Sequence, residues 1–116
     1  MFKFEELKVY QKSLDIIDEI YDLTDKFPKN EIFILTAQLL RAVNSIALNI
    51  AEGANSTDKV FNNHLIISGD SLKECIVCLT IARRSDYINE IEDNKLREDF
   101  LIIAKMITNL RKYLDK

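Results

Sequence analysis

Apolar residues recur along this chain at alternating spacings of three and four, the repeat that lines one face of an α-helix. Four stretches carry the pattern. The first covers about residues 5–26: Leu7, Tyr10, Leu14, Ile17, Tyr21 and Thr24 form its stripe, widened by Ile16, Ile20, Leu23 and Phe27. Pro28 ends it, because proline disfavours a helical residue before it. The second covers about 31–53, with Ile32, Leu35, Leu39, Val43, Ile46 and Ile50 inward, Asn30 as N-cap and Gly53 as its close. The third covers about 58–85, capped by Ser56 or Thr57, with Phe61, Leu65, Ser68, Leu72, Cys75, Leu79 and Ala82 as seam. The fourth covers about 90–115. Asn89 and Glu92 have capping-box spacing before it, and Leu96, Phe100, Ile103, Ile107, Leu110 and Leu114 carry the alternation onward.

Long helices joined by short connections pack against their sequence neighbours in opposite directions. The pattern therefore predicts an all-α fold, an antiparallel up-down-up-down four-helix bundle, as one domain over residues 1–116. Two glycines and one proline suit such a fold and are too few for a loop-rich or sheet protein. At 116 residues, 47% of them hydrophobic, the chain buries a core without disulfides or metal. No apolar run is long enough to span a bilayer, and no leader precedes the first helix, so no membrane partner is expected and the cytoplasm is the default location. The helices carry more apolar surface than one bundle core uses. Leu101, Ile102, Met106 and Tyr113 on the fourth, and Ile66, Ile67, Ile76, Val77 and Ile81 on the third, lie outside the seams and point to self-association.

The least ordinary feature is a polar line on the second helix. Gln38, Arg41, Ser45, Asn49 and Glu52 are three or four residues apart, hence on one face, between apolar neighbours. Ser68, Ser71 and Glu74 on the third helix are the expected partners, Glu74 for Arg41 in particular. The reading favoured is a buried hydrogen-bond network that sets helix register. The competing one is a ligand pocket between helices. The set holds no nucleophile–base pair, so no catalytic residue is assigned and the chain is read as a non-enzyme.

Other groups change that picture little. The single histidine, His64, lacks the Glu-x-x-His setting of a carboxylate metal site and reads as a surface or interface residue. Cys75 and Cys78 form a C-x-x-C in mid-helix with no second ligand pair, and read as small core residues. No metal and no cofactor is therefore expected. Net charge is −3, so binding to RNA or DNA needs local basic groups. Arg83 and Arg84, with Lys105, Arg111, Lys112 and Lys116, are the candidate phosphate contacts. Asp15, Asp18, Glu19, Asp22 and Asp25 make an acidic outer face on the first helix, which repels nucleic acid and suits a protein partner.

Several of these positions fall in longer motifs. They are Phe4-Glu5-x-Leu7-x-Val9-Tyr10-Gln11-Lys12, Phe27-Pro28-x-x-Glu31, Gln38-Leu39-x-Arg41-Ala42, Ser45-Ile46-x-x-Asn49-Ile50-Ala51-Glu52-Gly53 and Ser68-Gly69-x-Ser71-Leu72-x-Glu74. Together they span almost the whole chain, and the chain resembles the 23S rRNA-intervening-sequence proteins, also called S23 ribosomal proteins. The resemblance implies an antiparallel four-helix bundle that assembles as a ring-like homopentamer, without catalytic activity. Some such proteins are encoded inside insertions in bacterial 23S rRNA genes. A related group, the accessory variability proteins of diversity-generating retroelements, binds nucleic acid and a reverse transcriptase, which makes nucleic acid or a nucleoprotein the partner to expect. This sequence departs from the pattern in two ways. It is acidic where the retroelement proteins are basic, and Ala54-Asn55-Ser56-Thr57-Asp58 lacks the arginine the family often has after the glycine.

Overall fold

In the computed structural model, which describes residues 1–115, Lys3–Glu6 form a short 3-10 turn and four α-helices follow. They are α1 (Lys8–Thr24), α2 (Leu35–Ala54), α3 (Asp58–Arg84) and α4 (Glu90–Leu114). Among the described residues there is no strand, and no helix is long and apolar enough to cross a membrane. Lys116, one of the candidate phosphate contacts, lies outside the described residues.

Hydrogen bonds between the helices show their directions. Gln38 meets Glu74, Ser45 meets Ser71 and Asn49 meets His64, so α3 descends as α2 ascends. Thr80 meets Arg97 and Asn62 meets Arg111, so α4 reverses α3. Lys95 reaches Glu19 and Lys26 reaches Glu92, so α1 and α4 also run oppositely. Between them lies one core. Ile16 and Ile20 of α1, Leu39, Ile46 and Ile50 of α2, Leu65 and Leu79 of α3, and Phe100 and Ile103 of α4 are almost fully buried. Each such side chain contributes about 1.5–3 kcal/mol relative to exposure.

Helix ends follow local chemistry. Thr57 Oγ1 accepts from the Val60 amide and starts α3. Asn89 and Glu92 form the reciprocal capping box that starts α4. The α3 end is a Schellman turn: the Tyr87 amide donates to Ala82 O at 2.9 Å and the Asp86 amide to Arg83 O at 3.2 Å. That closure requires a left-handed residue, and Asp86 takes it at φ 60°.

Three expectations shift. Residues 31–34 are not part of the second helix, and Asn30 does not cap it. Successive amides there bond three residues back (Glu31 to Pro28, Ile32 to Lys29, Ile34 to Glu31), which winds the chain too tightly for an α-helix. Ile34 then leaves helical geometry at ψ −99°, and α2 begins at Leu35. Extended Leu7 separates the opening turn from α1. Within α1 the buried stripe is Val9, Ser13, Ile16, Ile20 and Leu23, whereas Leu14 and Tyr21 are exposed. Two apolar stripes overlap on this helix, and the more continuous run of isoleucine and leucine takes the core.

An aspartate in left-handed backbone is strained where glycine is not. Asp86→Gly is expected to raise unfolding free energy by about 0.5–1 kcal/mol, read as a higher urea midpoint with an unchanged slope.

Candidate functional site

The polar residues of α2 and α3 form a ladder along the seam between the two helices. At its upper rung Gln38 Nε2 donates to Glu74 Oε1 at 3.5 Å. Next, Ser71 Oγ donates to Ser45 Oγ at 2.9 Å. Asn49 Nδ2 donates to the Ser45 carbonyl (2.9 Å) and hydroxyl (3.0 Å), and its Oδ1 accepts from His64 Nδ1 at 3.0 Å. Ser68 Oγ donates to the Ile46 carbonyl at 2.9 Å beneath them. Every rung ends on another rung or on backbone, so these groups converge on one another and not on open space. No described side-chain N or O atom that is fully buried lacks a partner.

The expected set therefore divides. Gln38, Ser45, Asn49, Ser71 and Glu74 face the seam, and His64, read from sequence as a surface or interface residue, joins them. Arg41 and Glu52 do not belong to a buried network: both are exposed. At 100° per residue they lie further round α2 than Ser45 and Asn49, past the contact with α3. Arg41 forms no ion pair with Glu74. Glu52 comes only within 4.0 Å of His64 Nδ1.

Gly53 explains why the helices can close on this seam. It lies inside α2, without positive φ, and does not end the helix as its sequence position suggests. A Cβ at this position would sit 2.7 Å from His64 Cβ and 3.0 Å from Phe61 Cδ1. The motif glycine is thus a close-approach residue. A glycine beyond an apolar-periodic run looks like a C-cap, and only the position of His64 reveals the other use.

Cys75 and Cys78 are free, fully buried and face the core. Burial pushes the Cys75 thiol well above its ordinary range and raises that of Cys78, with Glu74 adding to both. Such thiols stay protonated and unreactive. No cluster of three or more His, Cys, Asp or Glu able to hold a metal occurs among the described residues.

The basic candidates separate into two places. Arg83 and Arg84 end α3 at one end of the bundle, where Asp86, Glu90 and Glu92 surround Arg83. Lys105, Arg111 and Lys112 lie on the far half of α4 and are exposed. Because α1 and α3 both start at that end, Lys8 and Lys59 join them. Arg111 Nε is steadied by Asn62 Oδ1 at 3.0 Å. Lys8 and Lys59 had no sequence signal as binding residues, since they are distant in the chain and only topology brings them to this end. The acidic face of α1 is partly neutralised from within, where Lys95 of α4 bridges Glu19 and Asp99.

Residues 5–109 match the family model described as "23S rRNA-intervening sequence protein". Among solved structures, the chain is similar to a crystallised protein of unknown function from the S23 ribosomal protein family of Bacteroides thetaiotaomicron. Identity is 26%, the TM-score is 0.83, and the match covers 90% of this chain and 98% of that one. No curated protein matches.

Two outcomes are expected. Gly53→Ala forces α2 and α3 apart and lowers stability by about 1–3 kcal/mol, measured by urea unfolding. Cys75 and Cys78 do not react with Ellman's reagent at pH 8 in the folded protein, and both react once denaturant is added.

Proposed function

Because the chain belongs to the 23S rRNA-intervening sequence protein family, we propose that it is a non-enzymatic, self-assembling protein that binds the phosphate backbone of RNA or DNA. The observation that carries this reading is the uneven charge along the bundle. Lys8, Lys59, Arg111 and Lys112 gather toward the end where α1 and α3 begin, and Lys105 lies nearer the middle of α4. The body instead carries Asp15, Asp18, Asp22, Asp70 and Glu98 on its surface. That end also exposes Glu6, Glu52, Asp58 and Asp115, so the net charge of −3 conceals only a modest cationic excess there on an acidic body.

One such end is a weak site. Several copies presented together on one assembly bind a polyanion far more tightly, because each further contact is intramolecular. Acidic groups on the body repel phosphate and limit contact to the basic end. The closed ladder between α2 and α3 serves in this reading as a register lock and not as a pocket.

The test is a titration of labelled structured RNA and duplex DNA at low and moderate salt. Binding is expected, weakening steeply as salt rises through release of counterions. Lys8→Ala/Lys59→Ala/Lys112→Ala should lower affinity at least tenfold and flatten the salt dependence. Arg83→Ala/Arg84→Ala, placed among carboxylates at the other end, should change it little. Absence of binding at low salt rejects the nucleic-acid reading and turns attention to a protein partner for the acidic α1 face.

A further inference from the structure

The aromatic side chains around the opening turn form a stack that leads from the core to the surface. Tyr10 of α1 packs against the core. The Phe4 ring crosses that of Tyr10 at 86°, with centroids 5.1 Å apart. The Phe2 ring then lies on Phe4, with centroids 5.8 Å apart and planes only 19° from parallel. Both are favourable aromatic geometries. Phe2 is 69% exposed, takes no part in the buried core, and meets no second ring among the described residues. One side of the ring is therefore packed and the other is open.

The backbone that carries this ring is fixed. The Phe2 amide donates to Glu5 Oε1 at 2.9 Å, and the Phe2 carbonyl accepts from the Glu5 amide at 3.1 Å. Gln11 Nε2 donates to the Glu5 carbonyl at 3.0 Å and ties the turn to α1. A single exposed apolar side chain is ordinary. An exposed ring held by its backbone and by a second ring beneath it is a preset flat surface, and ordering it on binding costs little.

Its surroundings are those of a phosphate-bearing ligand. The turn precedes α1 and so lies at the basic end of the bundle, with Lys59 and Lys112. Lys3 and Lys8 flank the stack, are exposed, and have no ion-pair partner within 4.0 Å among the described residues. Of the two adjacent acids, Glu5 is turned onto the Phe2 amide and Glu6 is exposed. Tyr113 brings a second exposed ring to this end. Aromatic faces among lysines suit nucleic acid whose bases are free to stack. A duplex covers both faces of each internal base, whereas a single strand offers them.

We propose that Phe2 is a stacking platform for an unpaired base, and that the basic end takes single-stranded RNA or DNA with Lys3 and Lys8 against the flanking phosphates. The inference rests on the nucleic-acid part of the proposed function and names the form of nucleic acid that the site selects. Every base has a flat face, so the platform accepts single strands with little regard to sequence.

The test uses the full chain, with a single-stranded oligothymidine and a duplex of matched length as probes at low salt. Phe2→Leu keeps an apolar side chain and removes the ring. It is expected to lower affinity for the single strand by about fivefold or more, with duplex affinity, salt dependence, helical circular dichroism and assembly mass unchanged. Phe33→Leu, at the opposite end of the bundle, should alter neither probe. Because the chain has no tryptophan, Phe2→Trp places a lone indole at the platform. This variant should bind as wild type does, and its fluorescence should be quenched by the single strand and not by the duplex. Lys8→Ala/Lys59→Ala/Lys112→Ala, by contrast, should weaken both probes. Wild-type affinity in Phe2→Leu, equal losses on both probes, or an unquenched indole overturns the platform while leaving phosphate binding in place. A fall in assembly mass in Phe2→Leu also overturns it, by showing the ring to be a contact between copies. Failure of wild type to bind either probe overturns the proposed function itself.

Discussion

The close approach of α2 and α3 is the constraint on which the rest of this structure depends. Only three residues, Asn55 to Thr57, join the two helices, so they must lie side by side. Gly53 lets them meet within van der Waals reach of His64 and Phe61. Once the helices are that near, the half-buried polar groups along the seam lose part of their water and bond to one another, and the buried Ser68 and Ser71 must do so, since an unpaired buried donor costs about 1–3 kcal/mol. The ladder from Gln38–Glu74 to Asn49–His64 is the answer to that demand. It also permits one register, because sliding α3 by a turn would break several rungs together. Ala42, Ser68, Cys75 and Cys78, small and buried along the same seam, keep the approach close throughout.

This pair then dictates what the other helices can do. α1 and α4 complete the core through Ile16, Ile20, Phe100 and Ile103, and are tied to each other by Lys26–Glu92 and the Lys95 pairs at the surface. Such exposed ion pairs contribute little each. The order of importance is therefore a tight inner pair and a looser outer pair, and an open groove between α3 and α4, beside Gly69, is one expression of that looseness. Topology has a further effect on charge. Opposed helix directions bring the starts of α1 and α3 to the end of α4, and so place lysines that are distant in sequence at one end of the bundle.

Much of this was legible in the chain. The four helices, the Thr57 cap, the Asn89–Glu92 box and the inward cysteines follow from spacing and capping chemistry, which are local. The polar line on α2 was also visible, but which of its members turn inward was not. Ser45 and Arg41 differ by less than half a turn on the helix, and only the position of α3 decides that one bonds across the seam while the other meets solvent. The stripe on α1 failed for a similar reason, since Leu14 and Ile16 both belong to valid apolar repeats. The two glycines were the least legible. Gly53 reads as a helix end, and Gly69 carries no local signal beyond its place in a motif. One proves to be filled from within the chain, whereas the other is open.

Hydrogen exchange of backbone amides distinguishes a bundle held by its α2–α3 seam from one that packs as a single unit. If the α2–α3 seam holds the fold, the slowest amides lie in α2 and α3 around Val43 to Ile50 and Leu65 to Cys75, and exchange only with global unfolding. Amides of α1 and α4 should exchange earlier, through partial opening that leaves the seam closed. Slowest exchange in α4, or equal protection across all four helices, would make the bundle a single cooperative packing unit without an inner pair.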